Sequence, residues 1–437
     1  MSRDRETGIV PAMNADSRTS PAESLAPPSL ADSSLAAPPA GGAEAGRALA
    51  VVGVNHALHD RYADLIYVLL PVWQAEFGLG YVALALLRSL YVGALAGLQM
   101  PAAALARRLG LRTVLVLGTF VGAAGYALAG ASGCLVVLCL ALALSGAGSS
   151  TQHPLASAVI ARAYGEAARG PLGTYNVAGD LGKAALPPLV GFVLAYAGWR
   201  PVLWLVAGLG AMVGLGVAVL LPREPAAREA ARGAAQATAR VDSSRSAQKK
   251  SGFGLLVAIG MLDNAARPAF LVYLPFLLQA KGAALATVGV GFALVAVGGA
   301  LGKAAFGRLG ARFGVTRSVI LTEVGTAAAI LAVVALPLAP AIAVLPLLGL
   351  LLNGTSSVLY GTVPELAPGG RVERAFAIFY TCTLGGSALA TPLLYGPLGD
   401  ALGPGRATMA AAVTALAVVP LMLALAPRLA PREGGPG

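Results

Sequence analysis

Residues 103–112 read Ala-Ala-Leu-Ala-Arg-Arg-Leu-Gly-Leu-Arg, and residues 307–314 read Gly-Arg-Leu-Gly-Ala-Arg-Phe-Gly. Each is a short basic turn that ends one apolar run and opens another. The Arg-x-Gly core stands at Arg108 and Gly110 and again at Arg312 and Gly314, an offset of 204. Arg169, Tyr175 and Pro187 return as Arg374, Tyr380 and Pro392 at 205, and Tyr67 and Gln74 return as Tyr273 and Gln279 at 206 and 205. Any one match is compatible with chance. A nearly constant offset through several segments argues that the chain is two copies of one unit. Two copies in parallel topology place a cavity at their interface near the bilayer midplane.

The bilayer follows from composition. Of the 437 residues, 57% are hydrophobic and 12% charged, against about 45–50% and about 25% in soluble domains. The apolar residues come in runs of roughly 20, the length that crosses a ~30 Å hydrocarbon core. Twelve spans are predicted, an all-α membrane fold. The first half gives 48–74, 80–104, 113–133, 134–161, 170–197 and 201–221. The second gives 253–279, 284–307, 317–338, 340–362, 373–397 and 404–427.

These spans divide the chain into a six-helix bundle over 47–221 and another over 252–427, joined by a polar linker, 222–251. Residues 1–46, rich in Pro, Ala and Ser, lack the apolar core of a signal peptide and read as a disordered tail; residues 428–437 look similar. Cys134, Cys139 and Cys382 lie inside apolar runs and read as small core residues, without the spacing of a disulfide framework or a metal site.

A net charge of +11 would suggest nucleic acid in a soluble protein. Here it marks topology. With the N-terminus inside, the cytoplasmic side collects Arg107, Arg108, Arg112, Arg308, Arg312, Arg317 and the linker's Arg223, Arg228, Arg232, Arg240, Arg245, Lys249 and Lys250. The other side has Arg200, Lys281 and Arg406. Both termini are therefore expected in the cytoplasm of a bacterial inner membrane. No nucleotide-binding loop, nucleophile, metal cluster or loop acid–base pair stands out, so an ion gradient is the evident energy source and no cofactor or enzyme activity is expected.

The passage 103–112 resembles the hallmark loop of the major facilitator superfamily, G-x-L-x-D-R-x-G-R-R, with Arg107 and, in the second copy, Ala311 at the acidic position. Gly173, Gly182, Pro187 and Gly191 resemble the antiporters' motif in the fifth helix, with Leu186 and Val190 replacing two glycines. Three passages resemble fosmidomycin-resistance-type exporters: Asn55-His56-Ala-Leu-His59-Asp60, Gly146-Ala-Gly-Ser149-Ser150-Thr-Gln-His153-Pro154 and Gly179-Asp180-Leu-Gly182. Leu155, Asp180 and Lys183 depart from the residues usual there. The resemblance implies twelve helices in two bundles, a monomer, and proton-coupled export of a small molecule.

Charges inside the membrane cost about 2.5–3.5 kcal/mol each at a helix centre, so they mark a polar interior. His56, Asp60 and Asp64 are spaced to share one stripe of the first helix, and Asp60 also fits the exporter pattern. It is the first candidate for the coupling proton, with His56 and Asp64 beside it; the alternative is a permanent ion pair with Arg61, Arg88 or Arg267. Arg88 has no acidic neighbour in sequence and is a candidate anion-binding residue. Asp180 with Lys183, and Asp263 with Arg267, read either as local pairs across one turn or as substrate contacts. His153 and Gln152 give the fourth helix a polar face, echoed by Asn353 in the second half. Lys303 and Glu323 read as end residues that snorkel, without a transport role.

The sequence thus points to a secondary transporter of a small anionic or zwitterionic molecule, exporting by proton antiport. Proton-coupled import of an organic anion needs the same charges. A non-transporting sensor would have little reason to keep them.

Overall fold

Inside hydrocarbon the backbone has no water to bond, so each N–H and C=O must pair within its own helix. The apolar runs accordingly form long helices in the computed structural model, which describes residues 42–222, 246–370 and 372–429. Joined across short breaks, they make twelve rods. The first half contains α1 (Gly42–Phe77), α2 (Tyr81–Gly97 and, after a bend, Gln99–Leu109), α3 (Leu111–Gly130), α4 (Leu135–Ser149 and Gln152–Tyr164), α5 (Arg169–Val193) and α6 (Trp199–Leu220). The second contains α7 (Ser246–Ala280), α8 (Leu285–Phe313), α9 (Val315–Ala335) and α10 (Leu338–Leu366). It ends with α11, which starts as Val372–Ala390 and continues through a π turn at Thr391–Tyr395 to residue 402, and α12 (residues 404–425).

Among the described residues, by length and apolarity alone, eight stretches can cross a membrane, or nine when the two pieces of α2, bent by 44°, are joined. The difference from twelve has a physical source. The middles of α1 and α5 carry Asp60, Arg61, Asp64, Asp180 and Lys183, which lower their hydropathy. Helices α11 and α12 pass as one stretch, Arg374–Arg428, although the chain turns sharply at Gly403 (φ 81°).

Packing repeats with the sequence. In the first half α1 lies on α5, α2 on α4, and α3 on both α4 and α6; in the second α7 lies on α11, α8 on α10, and α9 on both α10 and α12. The halves meet through α5 on α8 and α2 on α11. Each contact maps onto its counterpart when six is added to the helix number, the signature of a pseudo-twofold. The turns repeat too: Gly78, Gly110 and Gly165 take φ of 64°, 89° and 54°, and Gly282, Gly314 and Gly369, each 204 residues on, take 91°, 85° and 62°.

The halves close at one end. The Asp400 carboxylate accepts from the amides of Tyr81 (2.5 Å) and Val82 (3.2 Å) at the start of α2, and a Cβ on Gly191 of α5 would lie 2.6 Å from the Leu285 carbonyl of α8. At the other end the Gln152–Tyr164 piece of α4 is not packed on the second half. The exposure of the His153 (49%) and Lys183 (30%) side chains marks a crevice there, on the side of the Arg107–Arg112 turn.

Two boundaries and one burial expectation are corrected. The first helix begins at Gly42, so residues 42–46 belong to it and not to the tail: Ala-rich sequence after Pro38 and Pro39 favours helix, with Glu44 in its first turn. Helix α7 likewise takes residues 246–251 from the linker. The rest of the expected linker, residues 1–41 and residues 430–437 lie outside the described residues. Cys134 is exposed, at the N-cap of α4, and not in the core.

Candidate functional site

The site forms where α5 presses on α1. A Cβ on Gly179 would come 2.5 Å from His56 Nε2 and 2.9 Å from Asp60 Oδ2, and one on Gly182 would lie 2.6 Å from the Ala57 carbonyl. The absence of side chains at these two positions lets the neighbouring Asp180 and Lys183 reach across. Lys183 Nζ lies 2.9 Å from Asp60 Oδ2 and 3.8 Å from Asp180 Oδ1. Lys303 Nζ, from α8 in the other half, is 2.6 Å from Asp180 Oδ1. His56 Nε2 (3.6 Å) and His153 Nε2 (3.9 Å) approach Asp60 from α1 and α4.

An alternating chain of charge thus runs Asp60, Lys183, Asp180, Lys303 across α1, α5 and α8. Two sequence expectations are corrected here. The closer partner of Lys183 is Asp60 and that of Asp180 is Lys303, so this is a network between helices and not one local pair. Lys303 does not snorkel, because its position on α8 faces α5 at the seam between the halves. The His153 side chain is 49% exposed and that of Lys183 30%, so the network borders the open crevice.

A layer of neutral polar groups supports it. His56 stacks on Tyr175 at 4.0 Å between ring centroids and meets His153 edge-on at 5.2 Å. Asn55 donates to Gln152 Oε1 (3.0 Å) and accepts from Thr119 (3.0 Å). Gln152 is therefore a buried strut under the site. His59 Nδ1 pairs with Ser149 Oγ at 2.8 Å, and Ser149 with the Tyr91 hydroxyl at 2.7 Å.

Asp64, one turn beyond Asp60, makes no ion pair among the described residues; its charged neighbours are Lys183, Arg88 and Arg267. Arg88 lies over the Tyr67 ring at 4.6 Å with its buried Nε unpartnered. In the second half, Arg267 donates to Ser356 Oγ (2.7 Å) and the Leu352 carbonyl (3.2 Å), and Ser356 donates to Asp263 Oδ2 (3.2 Å). The expected one-turn pair of Asp263 and Arg267 is thus bridged by Ser356. Asn353 donates to the Gly349 carbonyl of its own helix at 3.0 Å and does not join the network. Glu323 is 2% exposed; it is buried within the second half and does not snorkel.

The motif residues are spread out. Arg108 is exposed beside the turn at Gly110, and Arg112 donates to the Ala218 carbonyl of α6. The turn at Gly314 repeats that geometry, while the Arg312 side chain lies outside the described residues. On α5, a Cβ on Gly289 of α8 would lie 2.5 Å from the Pro187 carbonyl, whereas Gly173 has nothing within 4 Å. Close packing therefore explains Gly182, Pro187 and Gly191 but not Gly173. A groove of about 480 Å³ between α3 and α6, lined by Phe120, Ala123, Trp204 and Gly208, is apolar and offers a polar solute nothing to bind.

The major facilitator superfamily model matches residues 60–391. The chain belongs to that superfamily. It is thus a multi-pass membrane transporter, not an enzyme. The facilitator is 27% identical to the fosmidomycin resistance protein of Escherichia coli (strain K12) over 158 residues, which is 36% of this chain and 39% of that protein. The chain thus matches about two fifths of the length of that curated relative. Among solved structures it resembles a bacterial homologue of the human lysosomal transporter Spinster, inward-facing and unoccupied (TM-score 0.73, 15% identity, 88% of this chain, 98% of that one). It also resembles a POT family transporter in complex with 5-aminolevulinic acid (0.71, 13%, 87% and 96%) and the nucleoside transporter NupG (0.69, 13%, 87% and 98%). At these identities the structural likeness shows the fold alone.

Proposed function

We propose that this facilitator exports a small zwitterionic or anionic molecule across the bacterial inner membrane by exchange for protons, as a monomer with both termini in the cytoplasm. The observation that carries the reading is Asp60, held at 2.9 Å by Lys183, between two histidines at the edge of the crevice. All twelve rods cross the membrane in this reading, in two bundles divided by the linker. With the Arg-rich side cytoplasmic, the crevice faces inward and Asp400 closes the outer end.

With Arg267 set against Asp263 through Ser356, the cations Arg61, Arg88, Lys183 and Lys303 still outnumber the carboxylates Asp60, Asp64 and Asp180 around this interior by one. An anionic group on the substrate balances that excess, and guanidinium grips it with two parallel bonds. In antiport the substrate's cationic group replaces Lys183 at Asp60, so that substrate and proton exclude one another. Outward opening brings a proton to Asp60 and releases the substrate. The partial likeness to the fosmidomycin resistance protein supports export.

The Lys183–Asp60 pair itself favours a second reading. A purely anionic substrate would draw Lys183 away, leave Asp60 uncompensated and promote its protonation. Proton and substrate would then assist each other, as in an importer. Proton exchange on binding separates the two: purified protein in weak buffer is mixed with fosmidomycin or other phosphonates, and a pH dye is followed. In a series run down to a pH at which Asp60 is protonated in the free protein, release on binding is expected for antiport; uptake on binding at neutral pH is expected for symport. Binding with no proton exchanged would sink proton coupling at this site.

A further inference from the structure

We propose that Lys183 is a two-position cation, and that Lys303 is the positioning residue that keeps it on Asp60 by occupying Asp180. The bridge from Lys303 to Asp180 crosses between the halves, so whatever draws Lys183 off Asp60 also loosens α8 from α5. A role for the bridge in the transport cycle rests on the exchange mechanism above; the two positions of Lys183 do not.

Two ammonium groups face one oxygen. Lys303 Nζ lies 2.6 Å from Asp180 Oδ1, while Lys183 Nζ lies 3.8 Å from that atom and 2.9 Å from Asp60 Oδ2. Lys183 thus sits between two carboxylates, bonded to one and just outside hydrogen-bonding range of the other. Asp180 is on the same helix one turn back, so a swing of the side chain carries the ammonium across while α5 stays still. Lysine suits such a move, because its charge is compact and its stem flexible, whereas a guanidinium fork would lock onto one partner. Once Lys183 arrives, Asp180 sets one negative charge against two positive ones, and its hold on Lys303 weakens. The Lys303 side chain is 38% exposed against 10% for Asp180, so its released ammonium turns into the crevice with its stem still packed.

The repeat shows that the architecture does not require these charges. At the offset of each segment, Ala266 stands opposite Asp60, Gly385 opposite Asp180, Ala388 opposite Lys183 and Gln99 opposite Lys303. Helices α7, α11 and α2 pack in the equivalent arrangement without them. A pair that only held the seam would serve α2 on α11 as well as α5 on α8. This one stands at the seam that adjoins Asp60.

With Asp60 unoccupied, Lys183 stays on it and Lys303 ties the halves together. With a substrate cation or a proton on Asp60, Lys183 moves to Asp180 and the tie loosens. The empty carrier is thus held and the loaded carrier released, which is the condition for exchange without leak.

The test is a set of melting temperatures for the purified, lipid-reconstituted protein, with no substrate and no proton gradient. Asp60→Asn stands in for an occupied Asp60 and frees Lys183. Lys303→Gln should lower the melting temperature of wild type, and lower that of Asp60→Asn by less than half as much. In a Lys183→Gln background no cation is left to move, and Lys303→Gln should cost the same with or without Asp60→Asn. Equal losses in wild type and Asp60→Asn would overturn the proposal, as would a difference that survives Lys183→Gln. A second readout leaves Lys303 in place: thiol labelling of Val82→Cys, at the closed seam, in a chain whose native cysteines are serine. Asp60→Asn should speed it several-fold and added Lys183→Gln should reverse the gain; an unchanged rate would again overturn the proposal. If both readouts hold in a protein that moves no protons in vesicles, the exchange mechanism falls and the two positions of Lys183 stand.

Discussion

Asp60 illustrates how much one residue's role depends on partners far away in sequence. Asp60 itself was legible, because an acid in an apolar run needs a polar surrounding and its stripe on α1 is visible at helical spacing. Its partner Lys183 looked like a local match for Asp180, since sequence offers only the i, i+3 neighbour. Lys303 was missed because its carboxylate lies 123 residues away on the other half. A signal was present: Gly298 and Gly302 form a small-residue stripe typical of helix packing, and a lysine in the middle of such a helix costs least when it faces a polar interior. Asp60→Asn, Lys183→Gln and the double variant form a thermodynamic cycle. Thermal unfolding should show a coupling of about 0.5–3 kcal/mol between the two sites, with the double variant more stable than the sum of the singles implies. Additive effects would mean that the pair is incidental.

Elements repeat more faithfully than side chains do. The Arg-x-Gly turns were readable, and both glycines adopt backbone that other residues rarely take, φ 89° and ψ 151° at Gly110 and φ 85° and ψ 156° at Gly314. Alanine at either should cost about 1–3 kcal/mol through strain alone, measured as a drop in melting temperature, with similar losses at the two sites if the repeat is structural. Gly179 is a different case. Its added Cβ would press on His56, which cannot yield because Tyr175 stacks behind it. Gly179→Ala should therefore destabilise by about 1–3 kcal/mol and abolish transport, whereas Gly173→Ala, in open space, should leave both unchanged. The break at Gly403 falls between the expected spans 373–397 and 404–427, whereas the π turn at Thr391–Tyr395 was not legible: it packs against α2, which a hydropathy window does not see.

At the scale of the whole molecule, the proposed cycle requires that contacts between the two halves break in turn. Asp400 caps the first turn of α2, where unpaired amides and the helix dipole favour an anion. That cap crosses the seam between the halves, so Asp400→Ala should shift the population toward the outward-open form. The check is thiol labelling of Asp64→Cys from the outer side in a chain whose three native cysteines are serine; faster labelling in the Asp400→Ala background is expected, and an unchanged rate would remove the cap from the closing mechanism. The fold at this scale was legible because duplication and charge asymmetry are properties of the whole sequence. The closed end was not, since no local pattern announces that Asp400 meets Tyr81. The most direct measurement is proton movement in inverted membrane vesicles, followed with a pH-sensitive dye while a panel of phosphonates, carboxylates and amino acids is added. The account predicts that at least one compound triggers proton efflux from the acidified lumen in wild type and none does in Asp60→Asn at matched expression. An equal response in both would contradict the assignment of the coupling proton to Asp60.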